Sequence, residues 1–233
     1  MPVPVPDLSA AARHDAPLRR IGIALATVAL LAFAALSLWY GGRAAWSDAS
    51  ALQARWLVNQ WRDGSGPVFS PKLWLDARDD LQAALQSAPG NAQLLDDLGF
   101  LYAARAQGLG TPAAGSAELA LQQSLLTEAI ASYRAAASLR PTFPYSWAYL
   151  ALAKHLRGER DAEFWLAFDK GLQYGHSEAG VKPALAQVAF ADWPALNAER
   201  QKRVTRLVAT APEMQRQQLL ALAAQSGVTL PGL

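Results

Sequence analysis

One run of residues constrains everything else in this chain. From Ile21 to Tyr40 (IGIALATVALLAFAALSLWY) twenty residues pass without a charge or a proline, directly after Arg19-Arg20 and ending in Trp39-Tyr40. At about 1.5 Å of rise per residue, a helix of this length covers the roughly 30 Å hydrocarbon core of a bilayer. Trp and Tyr at its far end are the aromatic anchors that sit at headgroup level. A cleavable signal would have an apolar region of roughly 7–15 residues followed by small residues. Here bulky Leu38, Trp39 and Tyr40 occupy those positions, although Ala44-Ala45 lie within a peptidase's reach. The run reads as a signal anchor, a single membrane span.

Orientation follows from the flanking cations. Arg13, Arg19 and Arg20 precede the run, and Arg43 and Arg55 follow it. The doublet at the edge predicts a cytoplasmic N-terminus and a C-terminal domain in the periplasm, outside the inner (plasma) membrane. The chain has no cysteine, which suits an exported domain without disulfides and suits a reduced compartment equally. Its net charge of +2 is too small for a nucleic-acid partner.

The first twelve residues (MPVPVPDLSAAA) are proline-rich and small and read as a flexible tail. After a break at Gly41-Gly42 the pattern is helical nearly to the end, rich in Ala, Leu, Gln and Arg, without alternating strand-like runs. Gly/Pro breaks at Gly64 to Pro67, Pro89-Gly90-Asn91, Gly108 to Ser116, Pro141-Thr142, Gly158, Gly175 and Ala211-Pro212 separate segments of ordinary helix length. The spacing 4, 3, 5 occurs twice, in Ala77, Leu81, Ala84, Pro89 and in Ala129, Tyr133, Ala136, Pro141. Each proline precedes a new amphipathic helix at a fixed offset. Leu95, Leu98, Gly99 and Tyr102 follow Pro89, and Trp147, Leu150 and Ala151 follow Pro141.

This pattern resembles the tetratricopeptide repeat (TPR), whose 34-residue unit pairs two helices. Small residues let the two backbones approach, large ones fill the gap to the next unit, and proline ends the second helix. In that register Trp147 is expected to be buried between successive units. The first unit has only Trp61 in register on its first helix, the second is split by an insertion from Gln107 to about Gln123, and the third lacks a terminal proline. The resemblance implies an all-α chain with an α-solenoid of TPR-like repeats. Its parts are a tail over 1–20, a transmembrane helix over 21–40, a juxtamembrane helical connector over 41–57, repeats over 58–172 and a helical extension over 173–233.

Three further helices are expected at Ser177 to Ala191, Ala195 to Ala209 and Pro212 to Gln225. Gly175, Glu178, Val181, the Trp193 to Leu196 stretch and Arg200 lie in an order that resembles the C-terminal helices of VpsP-type exopolysaccharide biosynthesis proteins. It is also similar to repeat regions associated with O-antigen polymerase/ligase proteins. The chain departs from that pattern at His176 and Lys182. The resemblance implies a role in polysaccharide biosynthesis.

Motifs for chemistry are sparse. The three histidines, His14, His155 and His176, are far apart, and no phosphate loop, nucleophile elbow or dinucleotide fingerprint occurs. Asp76 and Asp80, and the pair Asp96-Asp97, read as solvated helix starts that complement the helix dipole. No cofactor, metal site or enzymatic activity is expected. Instead the repeat register puts Gln93, Asp96 and Phe100, with Tyr145, Ala148, Leu152 and His155, on the concave face that holds partners in such domains. The C-terminal helices folding over that face are the alternative there. Phe100, Tyr145 and Leu152 would form an apolar strip for a protein partner. Arg200, Arg203 and Arg206, with Lys202, form a basic stripe that suits an anionic polymer or lipid headgroups, or simply a wet helix face. The expectation is a non-catalytic, membrane-anchored scaffold in exopolysaccharide or O-antigen assembly or export. The alternative is a periplasmic chaperone or assembly factor for envelope, secretion or cytochrome-maturation proteins.

Overall fold

The computed structural model describes residues 8–232, and side chains from residue 20 onward. Among the described residues the chain is all-α. Its nine helices are α1 (Leu8–Arg62), α2 (Pro71–Ser87), α3 (Ala92–Gln107), α4 (Ala117–Leu139), α5 (Pro144–Arg157), α6 (Ala162–Tyr174), α7 (Lys182–Ala191), α8 (Ala198–Ala209) and α9 (Glu213–Gln225). Short 3₁₀ turns, Ala179–Val181 and Trp193–Ala195, lie on either side of α7. Most helix starts are written locally. Ser70, Asn91, Ser116, Asp161 and Asn197 each turn a side-chain oxygen onto a backbone N–H of the first turn, supplying a partner the helix lacks.

Helices pack in sequential pairs, α1 with α2, α3 with α4 and α5 with α6, and each pair lies against the next. Small residues set the spacing within pairs. Ala77 and Ala84 of α2 and Ala129 and Ala136 of α4 are buried, as are Leu81 and Tyr133 between them. A Cβ on Gly99 of α3 would stand 2.7 Å from the Tyr133 ring, so the absent side chain is what lets α3 and α4 close. Beyond α6 the chain doubles back. The turn Ala179–Val181 and α7 pack on α5, α8 packs on α6 and α7, and α9 on α7 and α8.

The apolar run lies within α1, with its large side chains exposed. It makes this helix long and apolar enough to cross a membrane, as a signal anchor or a signal sequence would be. Gly41-Gly42 do not break it. Each glycine costs a helix about 1 kcal/mol relative to alanine, and strong helix formers on both sides carry the ladder through. Residues 8–12, read as tail, already belong to α1, while 1–7 lie outside the described residues. The end of α1 supplies the first helix of the first pair. Its Ser47, Ala51, Ala54 and Val58 are buried, and Ser47 donates to the Ala84 carbonyl at 2.9 Å.

Smaller differences have local causes. The stretch read as an insertion is a loop over 108–116, after which α4 simply begins early. Trp147 is half-buried rather than buried, because its indole N–H donates to the Pro141 carbonyl at 2.9 Å and keeps the ring at the α4–α5 turn. The helix expected from Ala195 starts at Ala198, where Asn197 provides the cap.

Candidate functional site

Two cavities open beside the α3–α5 row, on the face where the turn before α7 and α7 itself pack. The first, of about 360 Å³, is lined by Arg62, Gln93, Asp96, Tyr133, Phe143, Tyr145, Tyr149 and Gly180 among others. The second, of about 380 Å³, takes in Trp61, Phe100, Tyr133, Tyr149, Leu152 and, from α7, Pro183, Ala184 and Gln187. Tyr133 and Tyr149 belong to both, and their rings stack at 5.8 Å between centroids. The turn Ala179–Val181 passes over the first cavity. A Cβ at Gly180 would come within 2.8 Å of the Tyr145 hydroxyl, so a larger residue here would push the Tyr145 ring aside. Tyr149 donates to the Gly180 carbonyl at 3.4 Å, and Tyr145 reaches Glu178 at the same distance.

Beneath the first cavity lies a buried acid pair. Asp96 and Asp97 are only 4% and 1% exposed, which overturns their reading as a solvated helix start. The reason is charge pairing across helices, since a buried carboxylate persists only where cations and donors meet it. Asp97 faces Arg62 at 2.8 Å and Arg55 at 3.6 Å, both on α1, and accepts from the Gln93 amide at 3.1 Å. Asp96 accepts from the Ser146 hydroxyl of α5 at 2.8 Å and pairs with Arg140. Burial pushes the Asp96 carboxyl above the usual range, against the opposing pull of Ser146 and Arg140. The two acids tie α1, α3 and α5 together, and Asp96 lines the first cavity.

The residues expected on the concave face divide accordingly. Tyr145 lines the first cavity, and Phe100 and Leu152 line the second, so they do not form one continuous strip. Phe100 and Tyr145 are half-buried, and the Arg62 guanidinium lies 4.8 Å from the Phe100 ring. Leu152 and Ala148 are buried, since α7 and its preceding turn pack on α5. Gln93 and Asp96 are engaged in the ion network just described. His155 is held at the other end of α7, with Nδ1 3.0 Å from Asp192 and against Arg160, and burial holds its pKa below the ordinary value. Arg62, Tyr133, Phe143 and Tyr149 were not anticipated. Tyr149 was legible, for it stands four residues after Tyr145 on the same helix face.

The phenols of Tyr133, Tyr145 and Tyr149 are all raised by burial, so they stay protonated at neutral pH. What faces the cavities is therefore aromatic surface, hydroxyls, paired ions and the exposed Asp63 carboxylate, a set suited to recognition by apolar contact and hydrogen bonding. Among the described residues no group of three or more His, Asp or Glu side chains is placed to hold a metal ion.

The basic stripe does not survive as one. Arg200 grips Asp169 of α6 with two hydrogen bonds, at 3.0 and 2.8 Å, and lies 4.4 Å from the Trp165 ring. Arg203 donates to the Asp169 carbonyl at 3.2 Å, whereas Arg206 points to a separate cavity. The chain matches no protein-family model, no curated protein and no solved structure.

Proposed function

We propose that the protein is a non-catalytic, membrane-anchored scaffold whose TPR-like helical-repeat domain holds a protein partner outside the cytoplasm, in exopolysaccharide or O-antigen assembly or export. The observation that carries the binding reading is the pair of aromatic-lined cavities. Phe100, Tyr145 and Tyr149 remain half-open beside two cavities even though α7 lies across part of the same face. Aromatic side chains in such settings supply most of the binding energy of protein interfaces. The repeat reading is supported by three sequential helix pairs, two of which bury the residues of the small-large-small spacing. The anchor is supported by the exposed apolar stretch of α1 and by the Arg19-Arg20 doublet before it.

The test is capture of partners from solubilised membranes by the full-length protein. The double change Phe100→Ala and Tyr145→Ala removes two half-open rings, each worth about 2 kcal/mol at a hot spot, and is expected to abolish capture while helical content stays the same. Undiminished capture would remove these cavities from consideration. Glycosyltransferases or a polymerase among the captured proteins would support the polysaccharide role, and secretion or maturation components would replace it with the assembly-factor role.

A further inference from the structure

A third cavity, of about 670 Å³, shares no lining residue with the two aromatic-lined ones. It is enclosed by the end of α6, the turn after it, the first residue of α7, and α8 with the residues that follow. Three basic side chains, Lys182, Arg203 and Arg206, line it, and no carboxylate does. Lys182 is the unusual one. It is 2% exposed, yet its ammonium finds a single protein acceptor, the Thr210 carbonyl at 3.2 Å. Among the described residues neither Lys182 nor Arg206 is within ion-pair distance of an acid. The nearest acidic group to Arg203, Asp169, is already held by both fork arms of Arg200. Burial alone pushes the Lys182 ammonium below its ordinary pKa, with no neighbouring charge to restore it.

A buried ammonium without a counter-charge destabilises a fold, and an apolar residue of similar length would avoid that cost. The contrast with Lys154 is direct, for that equally buried lysine is met by three carboxylates. The missing counter-charge at Lys182 is thus one that a ligand would bring. Arg206, exposed at the rim, offers the planar fork that matches a carboxylate or phosphate. The volume lies within the 300–1,000 Å³ typical of small-molecule sites. Leu172, Leu207 and Pro212 supply apolar wall, while Gln173 and Ser177 supply an amide and a hydroxyl. That mixture suits the C–H faces and hydroxyls of a sugar ring.

We propose that this cavity binds the oxyanion of a sugar-sized molecule, a carboxylate or a phosphate seated between the Lys182 ammonium and the Arg206 guanidinium. The inference does not depend on the scaffold reading. It is tested by calorimetric titration of the full-length protein, in uncharged detergent at low salt, with glucuronate, glucose 1-phosphate, inorganic phosphate and glucose. At least one charged sugar is expected to bind, more tightly than inorganic phosphate, and glucose is not. Whichever charged sugar binds tighter identifies the oxyanion. Lys182→Met and Arg206→Gln are each expected to weaken that binding at least tenfold with helical content unchanged, and the exposed Arg206 keeps the test valid if Lys182→Met fails to fold. Absence of binding by both charged sugars, equal binding by glucose or inorganic phosphate, or unaltered affinity in Arg206→Gln would overturn the proposal.

Discussion

Replacing Lys154 by methionine would remove a buried charge while keeping most of the stem's packing. Lys154 is 2% exposed, and its ammonium lies 2.9 Å from Glu159, 2.9 Å from Asp161 and 2.8 Å from Glu163. Together they draw the end of α5 onto the start of α6. Asp161 also accepts from the Phe164 N–H as the cap of α6, and Glu163 is gripped by Arg134 of α4. Breaking a buried ion pair by removing one partner costs roughly 3–5 kcal/mol. The carboxylates left behind are 33%, 55% and 30% exposed and regain water, so about 2–3 kcal/mol is expected at pH 7. The pH dependence sharpens the test. Glu163 is depressed from 4.5 to about 2, chiefly by the hydrogen bond from Arg134 with Lys154 adding to it, and Asp161 is lowered chiefly by the Phe164 N–H. Depressed carboxyls stabilise the native state above their unfolded pKa, and that contribution is lost as pH falls from 4.5 towards 2. In Lys154→Met the three carboxylates lose the cation they share, with only Glu163 still held by Arg134 and Glu159 by Arg157, so protonation relieves part of their repulsion. The difference between the two proteins is therefore expected to narrow across that window. Denaturant unfolding followed by circular dichroism in micelles measures it. A difference below about 0.5 kcal/mol at pH 7, or one that stays constant down to pH 2, would refute the reasoning.

Gly99→Ala should lower the melting temperature, since its methyl would stand 2.7 Å from the buried Tyr133 ring and overpacking costs about 1–3 kcal/mol, against about 1 kcal/mol gained in helix propensity. An unchanged or raised melting temperature would show that α3 and α4 do not meet there. Ser146→Ala takes from buried Asp96 the hydroxyl bonded at 2.8 Å, and a loss of about 1.5–3 kcal/mol in denaturant unfolding is expected. A reporter active only outside the cytoplasm, fused after Leu233, should be active, and the protein should resist carbonate extraction. A soluble form starting near Ala45 would show that the apolar run is a cleaved signal.

The sequence by itself determined the features that depend on neighbours along the chain. A run of twenty uncharged residues has the length and apolarity for a membrane however the rest folds, and it appears in the structure as an exposed stretch of one helix. The small-large-small spacing was legible for the same reason. Helical periodicity puts Ala77, Leu81 and Ala84 on one face, and Ala129, Tyr133 and Ala136 on another, and all six are buried. Helix starts were written in single caps such as Ser70 and Asn91. Tertiary structure alone decided which charges are paired. Asp96 and Asp97 read as surface acids because their partners Arg55, Arg62, Arg140 and Ser146 lie more than thirty residues away in the chain. It also decided that α7 would pack on α5 and bury Leu152, and that the basic stripe would split, with Arg200 and Arg203 held by α6 and Arg206 left at a cavity. Periodicity tells which face of a helix is buried, but what that face meets depends on how rigid helices dock, and docking is fixed by side chains far apart in the chain.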